Sequence, residues 1–292
     1  MKGRKNNILP ILGASGYIGN YLSNRFKQEK YKVIGTYCSS KKRGLIHFDL
    51  NKMDIEDLKL DPQKIDYIII AAAAHASIDE SKKHWDYSYK TNVIRINKVI
   101  DYCFNHSIIP IYLSSDGVFD GEKGNYGEDD KPNPINCYGR MRYEVEKHIL
   151  ESDKPFIILR TGRVFGTDMD DGTLLTNTLN EMKQGKKLFY ITDMVFTPVY
   201  VSDLFEFIKF MIKKKCEGIF HIASLRPTTR YEIAQTIKKF FDLKTSDINP
   251  CKLKSLNSLD KKPKHTELDI GKYKKLTGFE YKPIEYYLNL IH

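Results

Sequence analysis

The sequence predicts an α/β fold: a doubly wound parallel sheet followed by a smaller C-terminal domain. Three observations predict it. Short apolar runs alternate with amphipathic stretches through the first half of the chain, the pattern of a parallel sheet covered on both faces. A glycine-rich turn separates the first apolar run from the first helical pattern. A long loop rich in Gly, Asp and Pro, residues 120–134, follows the fourth strand run. In doubly wound sheets, such loops beyond strand ends are where ligands bind.

The predicted strands of this half are residues 8–12, 32–37, 67–72, 109–114 and 156–161, and the predicted helices are 17–28, 85–107 and 138–151. Pro10 removes a ladder donor from the first strand, so a bulge or an early strand start is expected there. In the second half, residues 173–184, 201–214 and 230–241 read as helices and 218–222 as a strand. Ser202 is the expected cap of the second of these helices. Phe205, Phe207 and Phe210 form an aromatic stripe that suits core packing. Residues 247–264 carry Pro, Lys and Ser and read as loop.

Composition narrows the function classes. A chain of 292 residues can bury a substantial core. Its 41% hydrophobic and 29% charged residues suit a soluble globular protein. The longest apolar run, residues 67–74, is too short to span a bilayer, so no membrane partner is expected. The basic start at Met1, Lys2, Arg4 and Lys5 imitates a leader, but Pro10 and Gly13 interrupt the apolar stretch behind it. Five scattered cysteines without paired spacing argue for thiols in a reducing cytoplasm, and against zinc or a disulfide framework; no metal is expected. The net charge of +10 gathers in runs such as Lys213 to Lys215 and Lys261 to Lys262. These read as solvated surface that attracts small polyanions, not as a nucleic-acid face.

The glycine turn reads Gly13, Ala14, Ser15, Gly16, Tyr17, Ile18, Gly19. Between a strand and a helix, such glycines permit a tight turn and let backbone approach a pyrophosphate at the helix N-terminus. After the second strand, residues 35–43 hold no carboxylate but do hold Ser39, Ser40 and Lys41. An acidic residue there would favour NAD(H); its absence beside cations favours NADP(H). Asp49 and Leu50 are placed to border the adenine, and Ala72 and Ala73 close the third strand on the cofactor side. His75 follows them. It can reach nicotinamide or substrate, or it can be a buried, hydrogen-bonded histidine, which is the expectation. Asn92 is placed to position backbone or water behind the site.

The chemistry points to the run from Ser114 through Ser115, Asp116 and Gly117 to Gly121, and to Tyr138 with Arg142 downstream. Carbonyl reduction needs a proton for the new alkoxide. A tyrosine beside a cation can supply it, while a serine hydroxyl polarises the carbonyl. Tyr138 and Arg142 stand at i and i+4 and share one helix face.

On these residues the chain resembles the extended short-chain dehydrogenases, most closely the dTDP-4-dehydrorhamnose reductase group. Tyr126 to Pro132, Leu159 to Thr161, Thr197 to Leu204, Gly218 to Ala223, Arg230 to Glu232 and Lys262 to Asp269 extend the resemblance over nearly the whole chain. It implies a Rossmann-type domain over residues 1–160 plus about 194–222. A substrate-binding domain would take about 161–193 plus 223–292. It further implies a nucleotide-sugar substrate, with a homodimer as a possible assembly, and reduction of a 4-keto-6-deoxy sugar with Ser115, Asp116, Tyr138 and Arg142 as catalytic residues. Three positions depart from the group. Arg142 replaces lysine, and a guanidinium does not readily pass a proton on. Gly117 replaces a tyrosine and Arg163 a tryptophan. With Ser114, Asp116 and His75 these two mark the expected substrate pocket, and Arg163 suits a phosphate or carboxylate. Two other readings stay open: an epimerase or dehydratase, because Asp116 adjoins Ser115, and a non-catalytic subunit like the one this fold supplies to methionine adenosyltransferase.

Overall fold

A computed structural model describes residues 7–75, 77–185, 187–244 and 246–292. The fold divides into two compact units. The first holds the chain up to Ser114, Arg140–Leu159 and Phe207–Ile219; the second holds Ser115–Gly139, Arg160–Glu206 and the chain from Phe220 onward.

The chain begins with β1 (Ile8–Leu12), α1 (Tyr17–Gln28), β2 (Lys32–Tyr37), β3 (Ile46–His47) and β4 (Tyr67–Ile70). Next come α2 (Ile78–Lys83), α3 (Trp85–Tyr89), a π turn over Lys90–Arg95, α4 (Ile96–Asn105) and β5 (Ile109–Leu113). Then follow α5 (Cys137–Leu150), β6 (Ile157–Thr161), β7 (Val164–Phe165), α6 (Leu174–Lys183), β8 (Lys187–Ile191), β9 (Val195–Phe196) and β10 (Val199–Tyr200). The chain ends with α7 (Val201–Lys214), β11 (Gly218–Ile222), β12 (Thr228–Thr229), α8 (Arg230–Phe240), β13 (Asp247–Cys251), α9 (Gly271–Thr277) and α10 (Ile284–Leu288).

Seven strands form one sheet in the order β11-β6-β5-β4-β1-β2-β3. The β1–β2, β1–β4, β2–β3, β4–β5 and β5–β6 pairs are all parallel. All four residues of β4, Tyr-Ile-Ile-Ile, are buried, as a strand covered on both faces requires. Leu12, Ile68, Ile70, Val99, Ile100, Val145 and Ile158 anchor the first unit's core. The chain runs one way from β1 to β3 and the other way from β4 onward, so the β1/β4 boundary is the switch point of the sheet. The second unit has its own core, with Phe165, Leu175, Leu179, Ile233, Ile237 and Tyr287 at its centre.

Most predicted elements form, and the differences have physical causes. Pro10 sits in an unbroken β1–β2 register opposite Ile34. On the β4 side the register slips by one residue between the Ile8–Ile65 bridge and the Ile11–Ile69 pair. That places the expected bulge in the chain leading into β4, where Pro10 offers no donor. The predicted 85–107 helix forms as α3 and α4 with the π turn between them. Ser202 is not a cap, because α7 already starts at Val201. Part of the predicted 247–264 loop is strand: β13 pairs in parallel with β8 from Asp247–Lys187 to Cys251–Ile191. Pro250 there lies on a two-stranded edge, where a missing N–H is tolerated. Phe205 and Phe207 are buried as expected, and Phe210 is half-buried. Among the described residues, no helix is long and apolar enough to cross a membrane.

Candidate active site

In the first unit, the glycine turn lies at the carboxyl end of β1, at the switch point. Gly13 has φ +81°, and a β-carbon on it would stand 2.7 Å from the Cα of Ala72. Only glycine meets both demands, so the turn closes directly onto the chain after β4. The Gly13 N–H donates to Thr36 Oγ1 at 3.1 Å and ties the turn to β2. Gly16 precedes α1 with no side-chain cap. The first N–H groups of a helix lack intrahelical partners, and this uncapped end suits a phosphate. Ser15, Tyr17, Ile18 and Gly19 complete the turn and the start of α1.

Ser39, Ser40 and Lys41 are exposed beyond β2. Residues 35–43 lack a carboxylate, yet the fold brings one there. β3 pairs with β2, and Phe48 N–H donates to Tyr37 O at 2.8 Å. Asp49 is thereby buried near Cys38, whose thiol is pushed up first by burial and then by the Asp49 charge. Leu50 is buried beside it. The sequence concealed this neighbour because eleven positions separate Cys38 from Asp49.

β4 ends at Ile70, two residues short of the predicted strand, and Ala72 and Ala73 follow it. Asn92, in the π turn, grips the backbone of Ala74: its Oδ1 accepts from Ala74 N–H at 2.8 Å, and its Nδ2 donates to Ala74 O at 2.7 Å. His75 is not a buried histidine. Its side chain is 32% exposed and lies beside Glu80 and His84. Ser114, just past β5, donates its hydroxyl to buried Glu146 of α5. Arg142 Nη1 donates to Tyr112 OH and to Leu113 O, each at 3.3 Å.

The second unit holds the hydroxyl run. Ser115 is extended and precedes a single 3-10 turn, Asp116–Val118. Its Oγ accepts from Gly117 N–H at 3.0 Å and donates to Asp116 Oδ1 at 2.9 Å. Thr266 Oγ1 donates to Asp116 Oδ2 at 2.9 Å. Burial pushes the Asp116 carboxyl up to about 6, against the opposing pull of Thr266, Ser115, the Gly117 N–H and the Arg163 charge. Arg163 itself is exposed.

Tyr138 is fixed against this turn. A β-carbon on Gly117 would stand 3.3 Å from Tyr138 Cδ1, and one on Gly139 only 1.9 Å from Gly117 O. The start of α5 can therefore press on the turn only because residue 139 is glycine. Asn136 Oδ1 accepts the Gly139 N–H at 2.8 Å, which satisfies a donor of the helix start. Tyr138 and Arg142 stand four residues apart on α5, as the spacing implied.

Two residues of this surrounding escaped the sequence reading. Thr266 lay inside the motif Lys262 to Asp269, without a role. Arg230 heads the run Arg230 to Glu232 that carries part of the resemblance, but without a role; its pKa is lowered by burial and by the Arg163 charge, and it reaches over the Tyr190 ring.

Residues 7–291 match the RmlD substrate binding domain family. The chain belongs to that family. The expected resemblance to dTDP-4-dehydrorhamnose reductases, and the Rossmann-like α/β fold it implied, are borne out. A crystal structure of a hypothetical dTDP-4-dehydrorhamnose reductase from Sulfolobus tokodaii superposes with a TM-score of 0.85 at 29% identity, covering 97% of this chain and 99% of that one. Bovine methionine adenosyltransferase 2 subunit beta is 26% identical over 289 residues, 93% of this chain and 83% of that protein. The probable low-salt glycan biosynthesis reductase Agl14 of Haloferax volcanii is 25% identical, covering 89% of each. Proteins named as reductases and a subunit of an adenosyltransferase thus both stand among the relatives of this RmlD-family chain.

Proposed function

We propose that this RmlD-family protein reduces a nucleotide-linked 4-keto-6-deoxy sugar with NADPH. The observation that carries the reading is the packing of Tyr138 against the Ser115–Gly117 turn, enforced by glycine at 117 and 139. The Gly13 to Gly19 turn, with an uncapped helix behind it, suits a dinucleotide pyrophosphate. Ser39, Ser40 and Lys41 suit a ribose 2′-phosphate, and Asp49 with Leu50 borders the adenine. A reduced nicotinamide, when bound, supplies the hydride to the carbonyl carbon. Ser115 turns its one hydroxyl proton from Asp116 Oδ1 to the carbonyl oxygen, and Tyr138 gives that oxygen its proton. The resulting tyrosinate is stabilised by the Arg142 charge and recovers its proton from water. Arg163 and Arg230 attract the anionic nucleotide portion of the substrate.

The test is direct. Purified protein with NADPH and a panel of nucleotide-linked 4-keto-6-deoxy sugars oxidises the cofactor with at least one of them. Tyr138→Phe lowers that rate by roughly 100-fold or more while leaving NADPH binding intact. A wild-type chain that binds NADPH but turns over none of the panel overturns the reading.

One observation favours a second reading. The Arg142 guanidinium, which stands where reductases carry lysine, donates to Tyr112 and Leu113. An arginine so held suits a non-catalytic, nucleotide-binding subunit, and relatives named as the beta subunit of methionine adenosyltransferase 2 support this reading. If Arg142→Lys creates turnover that the wild type lacks, this second reading holds.

A further inference from the structure

His75, Glu80 and His84 converge on one side of α2. Glu80 lies on α2 and His84 caps its C-terminal end, four residues on, so both project from one face. His84 Nε2 is 3.4 Å from Glu80 Oε2, and His75 Nδ1 is 4.0 Å from the same oxygen. One donor atom from each of the three residues lies within 4.8 Å of the other two. The imidazole rings of His75 and His84 stack at 4.4 Å with a 20° tilt.

A separate observation concerns the backbone. His75 holds φ +48°, a left-handed conformation that residues with a β-carbon seldom adopt. Ser81 Oγ, one turn along α2, donates to His75 O at 2.6 Å and holds it there. Ser77 caps α2 by accepting the Glu80 N–H at 3.2 Å. The loop and the helix are thus tied at two points, and His75 is turned toward His84 where a relaxed loop would let it point to water.

We propose that His75, Glu80 and His84 bind a divalent cation of the zinc class. Two imidazoles and one carboxylate are the donor set such ions prefer, and three protein ligands leave a fourth position for water or an anionic oxygen. Tetrahedral bonds of about 2.1 Å put donor atoms about 3.4 Å apart. The His84–Glu80 edge already has that length; for both imidazole lone pairs to meet one ion the stacked rings must turn out of their stack, and side chains that are 32–49% exposed have the room to do so. The site lies beyond the carboxyl end of β4, three residues from the Ala72 backbone on which Gly13 packs. It is built wholly within the first unit and does not depend on the reaction assigned above.

The experiment uses the full chain without a histidine tag. Isothermal titration with zinc chloride gives one equivalent bound, and His75→Ala and His84→Ala each weaken it by roughly tenfold or more. His148→Ala and His265→Ala, elsewhere in the chain, leave the titration unchanged. Circular dichroism establishes that each variant is folded. If one is not, cobalt(II) bound to the unaltered chain carries the test, since its visible spectrum reports coordination number. A four- or five-coordinate spectrum supports the site, whereas six-coordinate aquo-type cobalt overturns it. Absence of zinc binding, or binding that survives the double substitution of His75 and His84, overturns it as well.

Discussion

A β-carbon on Gly117 would stand 3.3 Å from Cδ1 of Tyr138, so the ring of the proposed proton donor borders a residue of the hydroxyl run that has no side chain. Gly117→Ala moves the Tyr138 ring by a few tenths of an ångström. Small displacements of a reacting group are costly, so kcat falls by roughly tenfold while the dissociation constant for NADPH stays within about twofold. Steady-state kinetics and fluorescence titration of NADPH give the two numbers. An unchanged kcat would mean that Tyr138 does not act from this position.

Asp116 carries a pH signature. Its folded pKa of about 6 lies above the ordinary carboxylate value because burial disfavours the charge. Between roughly pH 4 and 6 the native chain holds a proton that the unfolded chain has released, so this group makes stability fall as pH rises, and its contribution is flat above the window. Asp116→Asn removes that slope. Thr266→Val removes a hydroxyl that favours the ionised form, so it moves the upper edge of the window to higher pH. Urea midpoints of the three proteins across this range decide the matter. Parallel curves for wild type and Asp116→Asn would show that Asp116 titrates normally.

Gly13 tests the nucleotide half alone. A valine there meets the Ala72 backbone at 2.7 Å and must adopt a left-handed φ as well. Gly13→Val therefore weakens NADPH binding by roughly 100-fold or more and lowers stability by about 2 kcal/mol or more. Gly44→Ala, which meets nothing within 4 Å, serves as the control. Its φ of +80° makes it mildly destabilising, but it leaves cofactor affinity unchanged.

The contrast between Gly13 and Asp49 shows what the sequence could tell. The glycine turn was legible because its chemistry is local: strand, turn and helix N-terminus are consecutive. The Tyr138–Arg142 spacing was legible for the same reason, since one helix fixes both. Asp49 beside Cys38 was not legible, because two-residue β3 brings them together and so short a strand leaves no periodic pattern. The β8–β13 pair failed likewise, as Pro250 and Asn249 look like loop until a partner strand is known. His75 was misjudged because nothing in an alanine run announces a left-handed residue held by Ser81.

His221 supplies the clearest acid-stability test in the second unit. It is fully buried on β11. Its Nδ1–H donates to Tyr126 O at 3.0 Å and to Asp269 O at 3.3 Å, and its Nε2 accepts from Arg160 Nη1 at 3.4 Å. That pattern needs the neutral ring. Burial, then the Arg160 charge, depresses its pKa to about 3. The unfolded chain takes up a proton near pH 6.5, while the native chain refuses it until far lower pH. The contribution is therefore complete above about pH 6.5 and is lost as pH falls toward 3, with a loss on the order of 3 kcal/mol by pH 4. His221→Gln keeps a donor and an acceptor but has no proton to gain. It is less stable than wild type at pH 7, because the amide packs less well between Arg160 and the two carbonyls, and the gap narrows as pH falls. Urea unfolding at several pH values measures this. A gap that stays constant from pH 7 to pH 4 would show that His221 is not held neutral.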